Sequence, residues 1–175
     1  KFHLSFLQAA HRLDQATSGL LIFAKEPTIY KQLQSYFQRR DILKRYEAVI
    51  MPLPHSSLAD TSLPAEGTIE LPLLPNPFDR PRQMVNHAHG KVAITRYYLR
   101  SKLPNGTLLV DFHPLTGRTH QLRVHAAHIE GLNAPIVGDR LYGQPAQRLL
   151  LHAAEIKFIH PITKEEMHFC IPSHF

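Results

Sequence analysis

The sequence predicts an α+β domain built around a largely antiparallel sheet. Runs of β-forming residues succeed one another from about Glu66 onward, whereas only two stretches of the whole chain show helical periodicity. The length agrees: 175 residues suit a single domain, 1–175, with a substantial core, and no internal repeat divides it.

In chain order, the first distinctive stretch is HRLDQATSGLL, residues 11 to 21. An extended His11–Asp14 points Arg12 and Asp14 to one face and Leu13 to the other. Ala16 to Gly19 reads as a turn, and Leu20 to Phe23 as a buried strand. Pro27 opens a helix, PTIYKQLQSYFQRR, in which Ile29, Leu33 and Tyr36 or Phe37 recur at helical spacing. Arg39 and Arg40 suit its C-terminus. KRYEAVIM (44–51) reads as a strand. Residues 52 to 65 hold three prolines and several small polar residues, the composition of a surface loop.

The second half is strand-rich. EGTIELPLL leads into a proline-broken loop through Arg82, and KVAITRYYLRS follows. Pro104-Asn105-Gly106 signals a hairpin whose partner strand is TLLVDFHPL. A second helix is expected from about Thr119 to Gly131, with Leu122, Ala126 and Ile129 as its apolar stripe and His120 and Arg123 on another face. LLLHAAEIKFIHP and EEMHFCIP close the chain as two more strands.

Twenty Lys and Arg against fourteen Asp and Glu give a net charge of +6. Such an excess favours a polyanionic partner, with nucleic acid the leading one. No run is apolar and long enough to span a bilayer, so no membrane partner is expected. There is neither a P-loop nor a dinucleotide glycine fingerprint. The single Cys170 leaves no internal disulfide and fits a reducing, cytoplasmic setting. The chain starts at Lys1, so it is expected to be a piece of a longer protein.

A carboxylate such as Asp14, where a strand meets a turn, serves as a nucleophile, a base, a metal ligand or half of a salt bridge. The motif alone does not choose. His120, His125 and His128 are spaced by five and three residues, which is not the i, i+4 pair of a helical zinc site. Dialysis against a strong chelator is therefore expected to leave activity unchanged. Activity lost and restored specifically by zinc would overturn that.

Three stretches, HRLDQATSGLL (11–21), KRYEAV (44–49) and LTGRTHQLRVH (115–125), together resemble the RluA-type family of RNA pseudouridine synthases. RPRQMV (80–85), GKVAITRYYL (90–99), APIVGDRLYG (134–143) and RLLLHA (148–153) extend the resemblance along nearly the whole chain. It implies a bent, mixed but mainly antiparallel sheet with flanking helices and a central cleft. It also implies an isomerase that converts a uridine of structured ribosomal or transfer RNA to pseudouridine as a monomer, without cofactor or metal. By the same resemblance Asp14 is the nucleophile, suited to hold an intermediate while the base turns. Tyr46 stacks on the base and is a proton acceptor, although an ordinary phenol is a poor base. Arg123 pairs with Asp14, at a hydrogen-bonding distance of about 2.7 to 3.2 Å.

Arg12 projects beside Asp14 to contact phosphate or fill the gap left by an extruded base. By the resemblance Thr17, Arg118 and His120 shape the pocket, and Leu151 is either an apolar wall beneath the uracil or part of the core. Arg82, with Arg80, Lys91 and Arg96, forms either a solvated face or a track for the RNA backbone. The family pattern places strands and an NKPAG-like segment ahead of HRLD where this chain has ten residues, so the domain is expected to be incomplete at its N-terminus. Two rivals stand beside this reading. One is an RNA-binding module without the chemistry; the other is a glycosidase, which needs a second carboxylate, with Glu47 the nearest one.

Overall fold

The computed structural model describes residues 6–54, 56, 58 and 66–175. Three short strands come first: β1 (Gln8–Ala9), β2 (Ser18–Gly19) and β3 (Phe23–Ala24). Helix α1 (Pro27–Arg39) leads into β4 (Leu43–Ile50), β5 (Glu66–Pro75), β6 (Gln83–Val85), β7 (Lys91–Lys102) and β8 (Leu108–Pro114). Helix α2 (Gln121–Ala127) then precedes β9 (Leu151–Ile159) and β10 (Glu166–Cys170). The main sheet has the order β10-β9-β4-β8-β7-β5-β6, every neighbouring pair antiparallel. β2 adds a parallel pairing to β9, so the sheet is mixed but mainly antiparallel, as expected.

The core lies in two clusters. In the larger, Ile50, Val110 and Phe112 of the central strands pack with Leu122 and Val124 of α2, and Ile136 and Leu151 complete it. In the smaller, α1 buries Leu33 against Ala10, Ala24, Ile42, Ile156 and Phe158. Burying such a leucine contributes roughly 2 kcal/mol, so this stripe, more than capping, fixes the helix. Glu26 makes no capping bond at its start; Pro27 sits in the first turn and Arg40, at φ 67°, ends it in the left-handed region.

The β7–β8 hairpin forms at Pro104-Asn105-Gly106, with Gly106 at φ 83° and the Leu103 N–H donating to the Thr107 carbonyl at 2.8 Å. Gly19 has a different necessity. It sits at φ 110° where β2 meets β9, and a Cβ there would overlap the Ala153 backbone. The glycine of TSGLL therefore lets the segment after Asp14 lie directly on the sheet.

Several expectations shift. Arg12 to Asp14 join no ladder, and Leu13 borders the same cleft as its two neighbours. The turn spans Asp14 to Thr17, closed by the Thr17 N–H on the Asp14 carbonyl at 2.9 Å, and Ser18–Gly19 is already strand. Of the expected Leu20–Phe23 strand only Phe23 joins a strand, with Ala24 as β3, and it is half exposed. Helix α2 stops at Ala127, with His120 left-handed before it, and Ile129 is 76% exposed outside the apolar stripe. In the expected surface loop, Ser56 and Leu58 are buried, the Ser56 hydroxyl donating to the Leu132 carbonyl at 2.8 Å. Residues 55, 57 and 59–65 lie outside the described residues.

Two histidines, one buried and one partly buried, make stability sensitive to acid. His125 is fully buried, with neither ring nitrogen partnered among the described residues, and burial, then the charge of His128, holds its pKa down at about 4. His11 is likewise held at about 4, chiefly by burial, and its Nε2 accepts the Ile22 N–H at 3.1 Å, which requires that nitrogen unprotonated. Each folded value lies below the ordinary 6.5. The neutral rings thus contribute stability in full above about pH 6.5, and it is lost as pH falls toward 4. For His125 the loss approaches about 3 kcal/mol. Urea unfolding at pH 7 and pH 5 should show the fall, and His125→Leu should flatten it; an unchanged slope would rule His125 out as its source.

Candidate active site

A cleft of about 770 Å³ opens where the 9–17 segment, the end of α1, β4 and the 114–122 connection meet. Asp14, Tyr46, Arg12, Thr17, Arg118 and Leu151 all line it. Lys44 and Tyr46, two residues apart on β4, reach it together. Asp14 is the sole carboxylate of the lining, facing four cations: Arg12, Arg40, Lys44 and Arg118. Lys44, half-buried with its pKa lowered by that burial, has no carboxylate partner among the described residues. Such a cleft has room and charge for an anionic nucleotide.

The Asp14 side chain accepts no hydrogen bond from any described residue, although its carbonyl closes the Asp14–Thr17 turn. Its charge nevertheless acts on Tyr46, His120, Arg123 and Tyr142, so the fold gathers these groups about it. Tyr46 sits across from Phe112 on β8 and beside Ala153 on β9. Burial, and then the Asp14 charge, push its phenol up to about 12. At neutral pH the ring is uncharged, which suits it to stacking and hydrogen-bond donation over proton abstraction.

The expected Asp14–Arg123 hydrogen bond is not formed. Arg123 lies behind the cleft wall, 6% exposed, and its Nε and Nη2 donate to the two Asp139 oxygens at 2.8 and 2.7 Å. Asp139 is better placed to take the guanidinium because it is buried on the same layer and is itself fixed. Its Oδ1 also accepts the N–H groups of Leu141 and Tyr142 at 2.9 and 3.1 Å. Burial, opposed and outweighed by those donors, leaves its pKa lowered. Burial also acts against the charge on Arg123, but the Asp139 bonds and then the Asp14 charge keep it raised. The guanidinium also stands 5.2 Å above the Tyr142 ring. Asp14 and Arg123 are thus neighbours through the field and not through a direct bond.

His120 does not line the cleft; it is buried, and its pKa is lowered first by that burial. Its Nδ1 lies 2.8 Å from the Tyr142 hydroxyl, which in turn accepts the Gln83 N–H at 2.6 Å. Arg82 also lies outside the cleft, its Nε donating to the Leu141 carbonyl at 2.7 Å while the guanidinium pairs with Asp79. Arg118 is partly committed as well, its Nε donating to the Val92 carbonyl at 3.2 Å. Glu47 is turned away, held by Arg45 at 2.7 Å and by the Ser173 N–H at 3.0 Å, with its carboxyl pulled down to about 2.

Asp139 and Tyr142 had no assigned role in the sequence reading, although GDRLYG contains both. An aspartate that opens a turn by accepting N–H groups two and three residues on was a readable sign. Gln121 was missed too. Its Oε1 accepts the Thr116 hydroxyl at 2.7 Å and the Arg118 N–H at 3.0 Å, and its Nε2 donates to Ile94 and Thr95. Those bonds fix the cleft wall before α2. Among the described residues, no three His, Cys, Asp or Glu side chains converge as a metal site.

Comparison with known proteins gives a consistent result. The family model described as RNA pseudouridylate synthase matches residues 2–128. The dual-specificity RNA pseudouridine synthase RluA of Pasteurella multocida is 38% identical over 175 aligned residues, covering 97% of this chain and 75% of that protein. The protein of the same name from Escherichia coli K12 is 38% identical, covering 96% and 74%. Among solved structures, human RNA pseudouridylate synthase domain containing 1 superposes with a TM-score of 0.77 at 27% identity, covering 96% of this chain and 69% of that one.

Proposed function

The chain belongs to the RNA pseudouridylate synthase family, and from that premise we propose that it isomerises a uridine of structured transfer or ribosomal RNA with Asp14 as nucleophile. The observation that carries the assignment is the cleft in which Asp14 is the lone carboxylate among four cations, with Tyr46 and Leu151 on its walls. The reaction breaks the bond from uracil N1 to ribose C1′ and makes one from C5 to C1′, with a proton leaving C5 and one arriving at N1. A carboxylate adds and departs without any redox change, so Asp14 alone suffices as the covalent partner. The surrounding cations hold phosphate and leave Asp14 as the group free to react.

Tyr46 stacks on the detached base, protonated at the start of the reaction. Bond formation by Asp14 would remove the charge that is the second cause of its raised pKa, which lowers the cost of the phenolate, the form that can take the C5 proton once the phenol has given its own proton to N1. A glycosidase needs two carboxylates flanking the bond. The geometry disfavours that rival, since Glu47 is engaged away from the cleft. The relatives called dual-specificity RNA pseudouridine synthases support RNA as the substrate, of more than one kind.

The test is tritium release from transcripts of both RNA classes made with 5-tritiated uridine. Release that tracks pseudouridine formation is expected. RNA bound without release would identify a binding module instead.

A further inference from the structure

The loop between β5 and β6 presents an aromatic ring that the fold leaves bare. Phe78 is 95% exposed, more than any other large hydrophobic residue described. One exposed apolar side chain needs no explanation by itself. The loop around this one, however, is built. The Phe78 N–H donates to Asn76 Oδ1 at 3.0 Å, the Asn76 N–H to the Arg82 carbonyl at 2.9 Å, and the Arg82 N–H to the Asp79 carbonyl at 3.0 Å. These bonds close the backbone on itself while the ring stands in water.

The same loop is fastened to the layer behind the cleft. Arg82 donates to the Leu141 carbonyl, and the Gln83 N–H to the Tyr142 hydroxyl oxygen. Tyr142 carries the Arg123 guanidinium on its ring and meets His120 through its hydroxyl. Beside Phe78, Arg80 is exposed and has no carboxylate partner among the described residues. An exposed aromatic on a closed loop, next to an unpaired cation and bonded to the residues behind the cleft, is the combination that binds single-stranded nucleic acid: the ring takes a base face and the cation a phosphate.

We propose that Phe78 stacks on an unpaired base of the RNA substrate near the target uridine, with Arg80 on the adjoining phosphate. The proposal rests on the RNA reading above. It makes sense of the chemistry, because extruding the target uridine exposes the faces of its neighbours. Stacking is sequence-tolerant, so Phe78 supplies affinity and leaves target choice to RNA shape.

The sequence contains no tryptophan, so Phe78→Trp places a single fluorophore at the loop tip. Its emission should be quenched saturably by unmodified transfer and ribosomal RNA transcripts, with tritium release close to that of the parent. Phe78→Ala should raise KM for the same RNA about five- to a hundredfold, with kcat, salt slope and urea midpoint unchanged. Phe78→Tyr should preserve KM, and Phe78→Leu should not. Unmoved Trp emission while tritium is released, or a wild-type KM in the Ala variant, would overturn the proposal. That result would leave Phe78 free for a protein partner. Quenching by RNA without any tritium release from the parent would instead uphold the stacking and overturn the assigned activity.

Discussion

Asp14→Asn should abolish tritium release, a loss of about 10⁴-fold or more on the scale seen when an enzyme loses its nucleophile. RNA affinity should stay within about threefold of the parent and lean toward tighter binding. The direction follows from charge: the cleft sets one carboxylate against Arg12, Arg40, Lys44 and Arg118, so removing it removes the only repulsion the lining offers a phosphate. The amide keeps the volume and puts no strain on the Asp14–Thr17 turn, which uses the main-chain carbonyl. A second readout needs no turnover. The Tyr46 phenol, at about 12 through burial first and the Asp14 charge second, should titrate lower in the Asn variant, though still above an ordinary tyrosine. Ultraviolet titration of the tyrosines would detect it. Substantial tritium release from the variant would remove Asp14 from the mechanism.

How much of this was legible beforehand differs between elements, for physical reasons. Helix α1, the β7–β8 hairpin and the β9–β10 pair follow from local signals, periodicity and turn residues, and the fold keeps them. The HRLD segment misled because its conformation is not local. Ala10 and Leu20 bond to Ile22 and Ala153 across the chain, so tertiary contacts override the strand pattern that the letters suggest. The same holds for the site. Asp14, Tyr46 and Leu151 share a cleft, which their motifs implied, but the partner of Arg123 is decided by which carboxylate shares its buried layer. Asp139 lies sixteen residues from Arg123 in a stretch without regular structure, and no period in the sequence relates the two.

That pairing carries the other large effect. Asp139→Ala should destabilise the protein by about 3 to 5 kcal/mol, because it strands a buried guanidinium without its counter-charge. The pair is well enclosed, with side-chain exposures of 7% for Arg123 and 0% for Asp139. The Asp139 carboxyl is held below its ordinary value, so this contribution is present at neutral pH and above. It is lost as pH falls below about 4, through the lowered folded value. Replacing both partners, Arg123→Met with Asp139→Leu, should recover part of the stability, as apolar substitutes for a buried ion pair commonly do. Recovery should be incomplete, because Asp139 also accepts the Leu141 and Tyr142 N–H groups, which a leucine cannot satisfy. Tritium release should not recover with stability, because the positive charge that Asp14 feels from Arg123 is gone. Urea midpoints and turnover measured on the single and double variants would separate the two roles. A double variant that regained both stability and full turnover would show the pair to be scaffolding alone. One that regained stability but not turnover would show that Asp139 holds Arg123 in place for the reaction at Asp14.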